Sequence, residues 1–507
     1  MLLLALELLM SFYLCNNRLI FTLDDPYIHL AVADHILSGG YGVNESELSS
    51  PSSSIIWPYL LAFTETLHLG AFGPLFINAI AAFATVFALL RFLETVGLLD
   101  RREGLFSYVI AVLAIFVTSA IALPMTGMEH SLHVWASIMT FIGLVEATRG
   151  QGPRLIHFMA LVLLPLVRFE GTAFALAAIV GFALLGQRRF AAAAASVILC
   201  SFGLYFALMA SRGLPLLPSS VLLKSRIAGD AYEGTSAFGS IFHHLVASLE
   251  SPFGRRLILL GVAIACGAWL LRTDRKAVTV CTAVLAAIGA HLALGEYDWF
   301  HRYEVYIIAL AALALLYVAA QTRPLLTTAQ WTATQIGIVL LIGFASTPYL
   351  LATLQTPLAA RNIYEQQYQM SLFAQRLYNG PVAVNDLGLV AYRNPNFVLD
   401  LWGLGSEKVR KAKLAGQYGP DQMAALADEY QVGLVMIYDS WFPLGIPATW
   451  EKVAILHTDN VTAAVGDVAF YTTPAADAER VATALNSFKT LLPPRDYLEM
   501  VKPLKRI

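Results

Sequence analysis

Long apolar runs separated by short polar loops dominate the first 354 residues. Twelve of these runs come close to the roughly 20 residues that a helix needs to cross a bilayer. They lie near 1–17, 52–69, 71–90, 105–123, 131–148, 155–167, 172–186, 190–210, 257–271, 277–294, 305–320 and 331–354. Beyond residue 354 the apolar segments become short and alternate with turns. The pattern predicts a polytopic α-helical membrane region, 1–354, followed by a soluble domain, 355–507.

Lysine and arginine in the short loops predict the orientation of the helices. The basic loops carry Arg91/Arg101/Arg102, Arg149/Arg154, Arg188/Arg189, Arg272/Arg275/Lys276 and Arg323. If these loops face the cytoplasm, all runs from residue 71 onward alternate without conflict, and domain 355–507 lies outside. The first run lacks a preceding basic segment and a cleavage site, so we expect a retained membrane helix with a cytoplasmic N-terminus.

The run 52–69 does not fit this alternation. It contains Pro58, Glu65 and His68, which suit a helix lying on the membrane better than one crossing it. We therefore predict about eleven transmembrane helices, with 21–70 forming a first outer loop that carries juxtamembrane helices.

Residues 355–507 have the pattern of a small α/β domain. PVAVND (381–386) and VGLVMIY (432–438) read as short buried strands, whereas 421–430 and 476–488 have helical periodicity.

Composition agrees with a membrane protein. Hydrophobic residues make up 57% of the 507 positions, and charged residues only 13%, against about 25% in soluble proteins. Mean hydropathy is +0.64 and net charge is −2. This balance excludes a soluble enzyme or a disordered chain and gives no reason to expect a nucleic acid partner. The four cysteines lie in apolar runs and are expected to be core residues.

Polar residues collect in five outer segments, each next to an apolar run: 21–30, 123–133, 167–171, 214–225 and 297–304. Ionisable groups at this depth are expensive unless they pair, so they are candidates for function. We expect the five segments to converge near the outer boundary of the membrane.

Each candidate has a functional and a structural interpretation. Asp24 and Asp25 could supply a base or a metal ligand, or be ordinary acidic loop residues; a divalent cation is compatible with them but not required. Arg168 suits phosphate, and its neighbour Glu170 is expected to pair with it only imperfectly. The further candidates are Tyr27, His29, Glu129, Lys224, His301 and Arg302. The histidines lack a zinc-ligand spacing.

Together the candidates amount to two acids and three cations on one face of a membrane scaffold. Transfer from a phosphate-linked lipid donor needs this combination, because an acid can take a proton from the acceptor hydroxyl while cations stabilise the departing phosphate.

The order of motifs resembles the GT-C superfamily of polyprenyl-phosphate-sugar-dependent glycosyltransferases, most closely its bacterial arabinofuranosyltransferase and mannosyltransferase-like branch. The motifs are DDPYIHLAVADHILSGGYG (24–42), TGMEHSL (126–132), VRFEG (167–171), LPSSVLLK (217–224), HRY (301–303) and VAVNDLGLVAYR…VLDLWGLG (382–405). Two departures concern the donor-sugar pocket: Pro218 is followed by two serines, and the expected proline after HRY is missing.

The resemblance implies an inverting sugar transfer on the extracytoplasmic face of a bacterial cytoplasmic (inner) membrane. Asp24 or Asp25 would be the base, and Arg168, Lys224 and Arg302 would contact the donor phosphate. The acceptor would be a glycan, lipid or protein of the cell envelope. The alternatives are a lipid or polysaccharide transporter or flippase, and a non-catalytic envelope assembly protein.

Overall fold

A computed structural model of the chain describes residues 2–100, 103–224 and 237–501. In this part of the chain, seven helices are long and apolar enough to cross a membrane, and four shorter apolar helices occupy the remaining predicted crossings. The helices are α1 Leu2–Leu14, α2 Asp25–Leu37, α3 Trp57–Thr66, α4 Phe72–Thr95, α5 Leu105–Val117, α6 His130–Thr148, α7 Leu155–Val167, α8 Gly171–Leu184, α9 Arg188–Ser211, α10 Ser219–Lys224, α11 Ala237–Glu250, α12 Pro252–Leu270, α13 Arg275–Leu294, α14 Val305–Thr322 and α15 Thr328–Glu365. The predicted polytopic helical membrane region is confirmed.

Helix α14 forms the centre of the bundle. It packs against α5, α6, α12 and α13, and nearly all of its side chains are buried. A helix that is apolar on every side is stable only when neighbours or lipid surround it. Outer helices such as α4 and α9 instead leave large apolar side chains exposed, among them Phe83 and Leu199, as expected for contact with lipid.

The first outer loop folds into two helices that pack against each other, α2 and α3. Helix α3 has 10 residues, about 15 Å at 1.5 Å per residue, and is too short to cross a bilayer. The structure thus has a short helix, with Pro58 in its first turn, within the run 52–69. The positions of the basic loops predict that this run does not cross the membrane.

The C-terminal part is an α/β domain, as predicted. Its six-stranded sheet has the order β2-β1-β3-β5-β4-β6, with β2-β1-β3 parallel and the remaining pairs antiparallel. The strands are β1 Val382–Val384, β2 Val398–Asp400, β3 Leu434–Ile437, β4 Glu451–His457, β5 Asp467–Thr472 and β6 Tyr497–Met500. The helices are α16 Gln367–Leu372, α17 Gly388–Ala391, α18 Glu407–Leu414, α19 Pro420–Glu429 and α20 Ala478–Leu491, with a π-helix at Phe373–Tyr378.

Helix α15 connects the two parts of the chain. It spans 38 residues and runs through residue 354, where the sequence predicts the domain boundary. Near its C-terminal end, Asn362 accepts hydrogen bonds from the backbone N–H groups of Val461, Thr462 and Ala463. The soluble domain is therefore packed against the end of this membrane helix and not attached by a free linker.

Candidate active site

A cavity of about 650 Å³ lies where the segment 21–70, the α7–α8 turn, the C-terminal end of α13 and the N-terminal end of α14 meet. Its lining includes five sequence-predicted residues from three distant segments: Asp25, His29, Arg168, Glu170 and Arg302. Ser220 and Val221 of α10 and Leu404 of the soluble domain complete parts of the wall.

Asp25 and Arg302 form an ion pair in this cavity. Asp25 is the first residue of α2, and Arg302 lies in the loop before α14. Arg302 Nη2 donates a hydrogen bond to Asp25 Oδ2 and another, of 3.1 Å, to the Tyr303 hydroxyl. The Arg302 side chain is 1% exposed, yet its Nε and Nη1 have no hydrogen-bond partner among the described residues. Buried guanidinium donors without acceptors are costly, so the site favours a ligand that supplies acceptor oxygens.

Arg168 is held between two carboxylates. Its Nη1 donates to Glu129 Oε1 at 2.8 Å, and its Nη2 and Nε donate to the two oxygens of Glu170 at 2.6 and 3.2 Å. The expectation that Arg168 and Glu170 pair only imperfectly is wrong. Arg168 has extended backbone angles at the end of α7, and the turn that follows presents Glu170 to its guanidinium as a bidentate partner.

Tyr303 joins the two arginines. The guanidinium carbons of Arg168 and Arg302 lie 5.3 and 5.0 Å from the centroid of its ring. A ring face attracts cations, so the tyrosine helps to hold two positive groups close together. The sequence analysis did not select Tyr303 as a site residue, although the HRY motif (301–303) contains it.

The remaining wall is rich in neutral hydrogen-bonding groups. His29 Nδ1 lies 3.0 Å from the Ser52 hydroxyl, and its Nε2 is 4.0 Å from Glu129 Oε2. His291 and Tyr306, which the sequence analysis did not select, pair through Nδ1 and the hydroxyl at 3.1 Å and both line the cavity. Their signal was weak, because each lies inside a predicted membrane run.

Four described residues that the sequence analysis selected do not line the cavity, and one of them is Glu129, the partner of Arg168. The Asp24 carboxylate accepts the backbone N–H groups of Gly388 and Leu389 in the soluble domain. Tyr27 is buried, and its hydroxyl accepts the N–H of Phe21 at 3.2 Å. His301 contacts Asp298 at 3.1 Å and packs against Phe253.

Lys224 ends helix α10, whose first residues line the cavity, but its side chain lies outside the described residues. A role in phosphate binding therefore stays a prediction.

Metal binding at Asp24 and Asp25 also stays a prediction. Within 2–100, 103–224 and 237–501 no group of three or more histidine, cysteine or acidic side chains is arranged to hold a metal ion, and the two adjacent aspartates take different partners.

Replacing Arg168 with alanine should strongly destabilise the protein. Glu129 is fully buried and would lose its arginine partner, and an uncompensated buried charge costs about 3–5 kcal/mol in the free energy of unfolding. Thermal unfolding in detergent measures this effect. Arg154→Ala is the control, because that arginine pairs with Glu146 at an exposed site, where a pair contributes about 0–1 kcal/mol. Equal losses for the two variants would contradict the interpretation.

Comparison with known proteins supports the fold. A model of a domain of unknown function, DUF8728, matches residues 361–472, and curated protein sequences give no match. The crystal structure of ArnT from Cupriavidus metallidurans superposes with a TM-score of 0.51 at 13% identity, covering 94% of this chain and 98% of that one. The arabinofuranosyltransferase AftD from Mycobacteria gives a TM-score of 0.46 at 14% identity; the match covers 94% of this chain but 41% of AftD. From the helical bundle, the C-terminal sheet domain and the likeness to ArnT, the chain has the polytopic membrane fold seen in ArnT, with a C-terminal sheet domain.

Proposed function

We propose that the protein is an integral-membrane glycosyltransferase that moves a sugar from a polyprenyl-phosphate donor to a hydroxyl of a cell-envelope acceptor. The observation that carries this proposal is the convergence of Asp25, Arg168 and Arg302 on one cavity, although up to 277 positions separate them in the chain. Sugar transfer with release of a phosphate needs a base for the acceptor hydroxyl and positive groups for the departing phosphate, and both are present at this place.

Each residue has a distinct role in the proposed reaction. Asp25 accepts the proton of the acceptor hydroxyl as its oxygen attacks the anomeric carbon. The bond between that carbon and the phosphate oxygen breaks, and the polyprenyl phosphate leaves with the electron pair. The N–H groups of Arg302 that have no protein acceptor stabilise the charge on the phosphate. The positive charge of Arg168 beside the phosphate adds to this electrostatic stabilisation. Attack opposite to the leaving group inverts the anomeric centre.

An apolar opening supports a lipid-linked donor. Leu176 of α8 and Leu294 of α13 line the cavity and are 59% and 52% exposed. Both belong to helices of the membrane region, so their exposed faces would contact lipid. A phosphate bound at Arg302 could therefore extend a polyprenyl chain between these helices into the bilayer.

Narrowing this opening should weaken donor binding. Ala173 lines the cavity on the first turn of α8, and Ala173→Trp should raise the KM for the donor about tenfold or more while changing kcat less. Val180→Trp is the matched control, because Val180 is exposed on the same helix but does not line the cavity. Identical donor KM values for the wild type and Ala173→Trp would exclude this path.

The position of the basic loops supports an extracytoplasmic site. Lys276 at the start of α13 donates to the Thr148 carbonyl at the end of α6, whereas His291 and Leu294 at the other end of α13 line the cavity. Twenty helical residues separate the two ends by about 30 Å. With basic loops in the cytoplasm, the cavity and the soluble domain face outward and the N-terminus faces inward, in a bacterial inner membrane.

Reconstitution tests the proposal directly. The protein in phospholipid vesicles should transfer labelled sugar from synthetic polyprenyl-phosphate donors carrying arabinofuranose or mannose, the two sugars that the family resemblance implies. Movement of intact donor across the bilayer without cleavage would instead identify a flippase. If the protein neither cleaved nor moved either donor, the result would favour the non-catalytic assembly protein.

A further inference from the structure

The parallel strands of the soluble domain have a switch point at their carboxyl ends. Strand β1 lies between β2 and β3, so the chain leaves β1 toward one side of the sheet and enters β3 on the other. In doubly wound sheets, such a switch point is where ligands bind. Here the segment after β1 contains Asn385, Asp386 and helix α17, and Tyr438 follows β3.

At this switch point the soluble domain contacts Asp24 of the first outer loop. Asp24 is 6% exposed, and its Oδ2 and Oδ1 accept the N–H groups of Gly388 and Leu389 at 2.5 and 2.8 Å. A carboxylate on two backbone donors is a strong, directional contact. It joins residues more than 360 positions apart and fixes the residue directly before Asp25.

Gly388 is required for this close approach. A Cβ atom added there would lie 2.1 Å from the Asp24 carbonyl oxygen and 2.7 Å from Asp24 Oδ2. The Asp24 carbonyl is itself an acceptor for the Tyr27 N–H at 3.1 Å, in the first turn of α2. Any larger side chain at position 388 would therefore push on the backbone that carries Asp25.

A second layer of polar groups surrounds the contact. Asp386 accepts hydrogen bonds from Gln367 Nε2 at 2.8 Å and from the Tyr438 hydroxyl at 3.1 Å. Burial raises the pKa of the Asp24 carboxyl, and the charge of Asp386 raises it further; burial also raises the pKa of Asp386. The N–H groups of Leu389 and Gly388 oppose this rise in the pKa of Asp24, because they hydrogen bond to its carboxylate form.

We infer that the soluble domain positions the catalytic base. The N–H groups of Gly388 and Leu389 hydrogen bond to Asp24, and this contact sets the position of Asp25 in the cavity. Asp24 is then a positioning residue, and sugar transfer depends on a contact outside the cavity. This inference rests on the proposed function. A misplacement of a catalytic group by about 1 Å can lower the rate about 100-fold. Even a small displacement of Asp24 from Gly388 and Leu389 should therefore change kcat measurably.

Gly388→Ala tests the inference in the full-length protein in vesicles. We expect kcat to fall by about 10- to 100-fold, with the donor KM within about twofold of the wild type, because position 388 does not line the cavity. Gly419→Ala is the matched control: Gly419 lies in the same domain, has negative φ, and an added Cβ would have only a Leu444 methyl at 4.0 Å. Its kcat should equal that of the wild type.

Asp24→Asn keeps the inference falsifiable should Gly388→Ala fail to fold. It replaces one acceptor oxygen with an amide that cannot accept the backbone N–H, so it should also lower kcat without raising KM. In the double variant the losses should not multiply, because both changes break one contact. Wild-type kcat in Asp24→Asn, or multiplying losses, would overturn the inference. A wild-type protein that cleaves no donor would instead refute the proposed function.

Discussion

Replacing Asp25 with asparagine is expected to reduce sugar transfer by about 10²–10⁴-fold, the contribution typical of a positioned general base. Asparagine has nearly the same shape and can still accept a hydrogen bond from Arg302, so we expect the variant to fold, with some loss of stability because the buried Arg302 loses its counter-charge. It cannot take up the proton of the acceptor hydroxyl. The measurement is kcat with a saturating lipid-linked donor, together with thermal unfolding to establish that the variant is intact.

Asparagine substitutions of two other aspartates are the comparisons for Asp25→Asn. Asp428 is exposed on α19 of the soluble domain, and Asp428→Asn should have wild-type kcat. Asp24→Asn should lose less activity than Asp25→Asn, because Asp24 contacts the soluble domain and not the cavity. If Asp25→Asn retained full activity, or if Asp24→Asn had the larger effect, the assignment of the base would be wrong.

Replacing Arg302 should have the second large effect. Arg302→Ala removes both the partner of Asp25 and two buried donors without acceptors. Loss of donors to a developing negative charge typically lowers kcat by about 10²–10³-fold. Arg302→Lys keeps the charge but not the planar fork that suits phosphate, so we expect an intermediate loss.

Donor binding and turnover should be measured separately for these variants. Arg255→Ala is the control, since Arg255 is exposed at the start of α12 and does not line the cavity. Arg302→Ala should reduce kcat and also the affinity for unglycosylated polyprenyl phosphate, the product. Wild-type affinity for that phosphate together with wild-type kcat would remove Arg302 from the proposed site.

The roles of the two arginines differ because of how each is paired. Arg168 has three hydrogen bonds to two carboxylates, so most of its bonding capacity is used within the protein. Arg302 has one carboxylate partner and two nitrogens without a partner in the described chain. We therefore expect Arg168 to act mainly on stability and on the local potential, and Arg302 to contact the donor directly.

The sequence by itself determined the architecture. Long runs of apolar residues predicted the membrane helices, and the loop arginines predicted that 52–69 does not cross. Short apolar runs predicted β1 and β3, and helical periodicity predicted α19 and α20. Strands β2, β4, β5 and β6 were not predicted, and each pairs with a neighbouring strand of the sheet.

The tertiary structure decided which predicted residues meet. Asp24 and Asp25 are equivalent in sequence, but successive residues at a helix start point about 100° apart, so one reaches the soluble domain and the other reaches the cavity. The α7–α8 turn brought Glu170 to Arg168, packing of α6 against α7 brought Glu129 to it, and packing directed His301 to Phe253. Hydrophobic periodicity fixes elements because it acts over many residues, whereas the direction of a single polar side chain depends on neighbours that are distant in the chain.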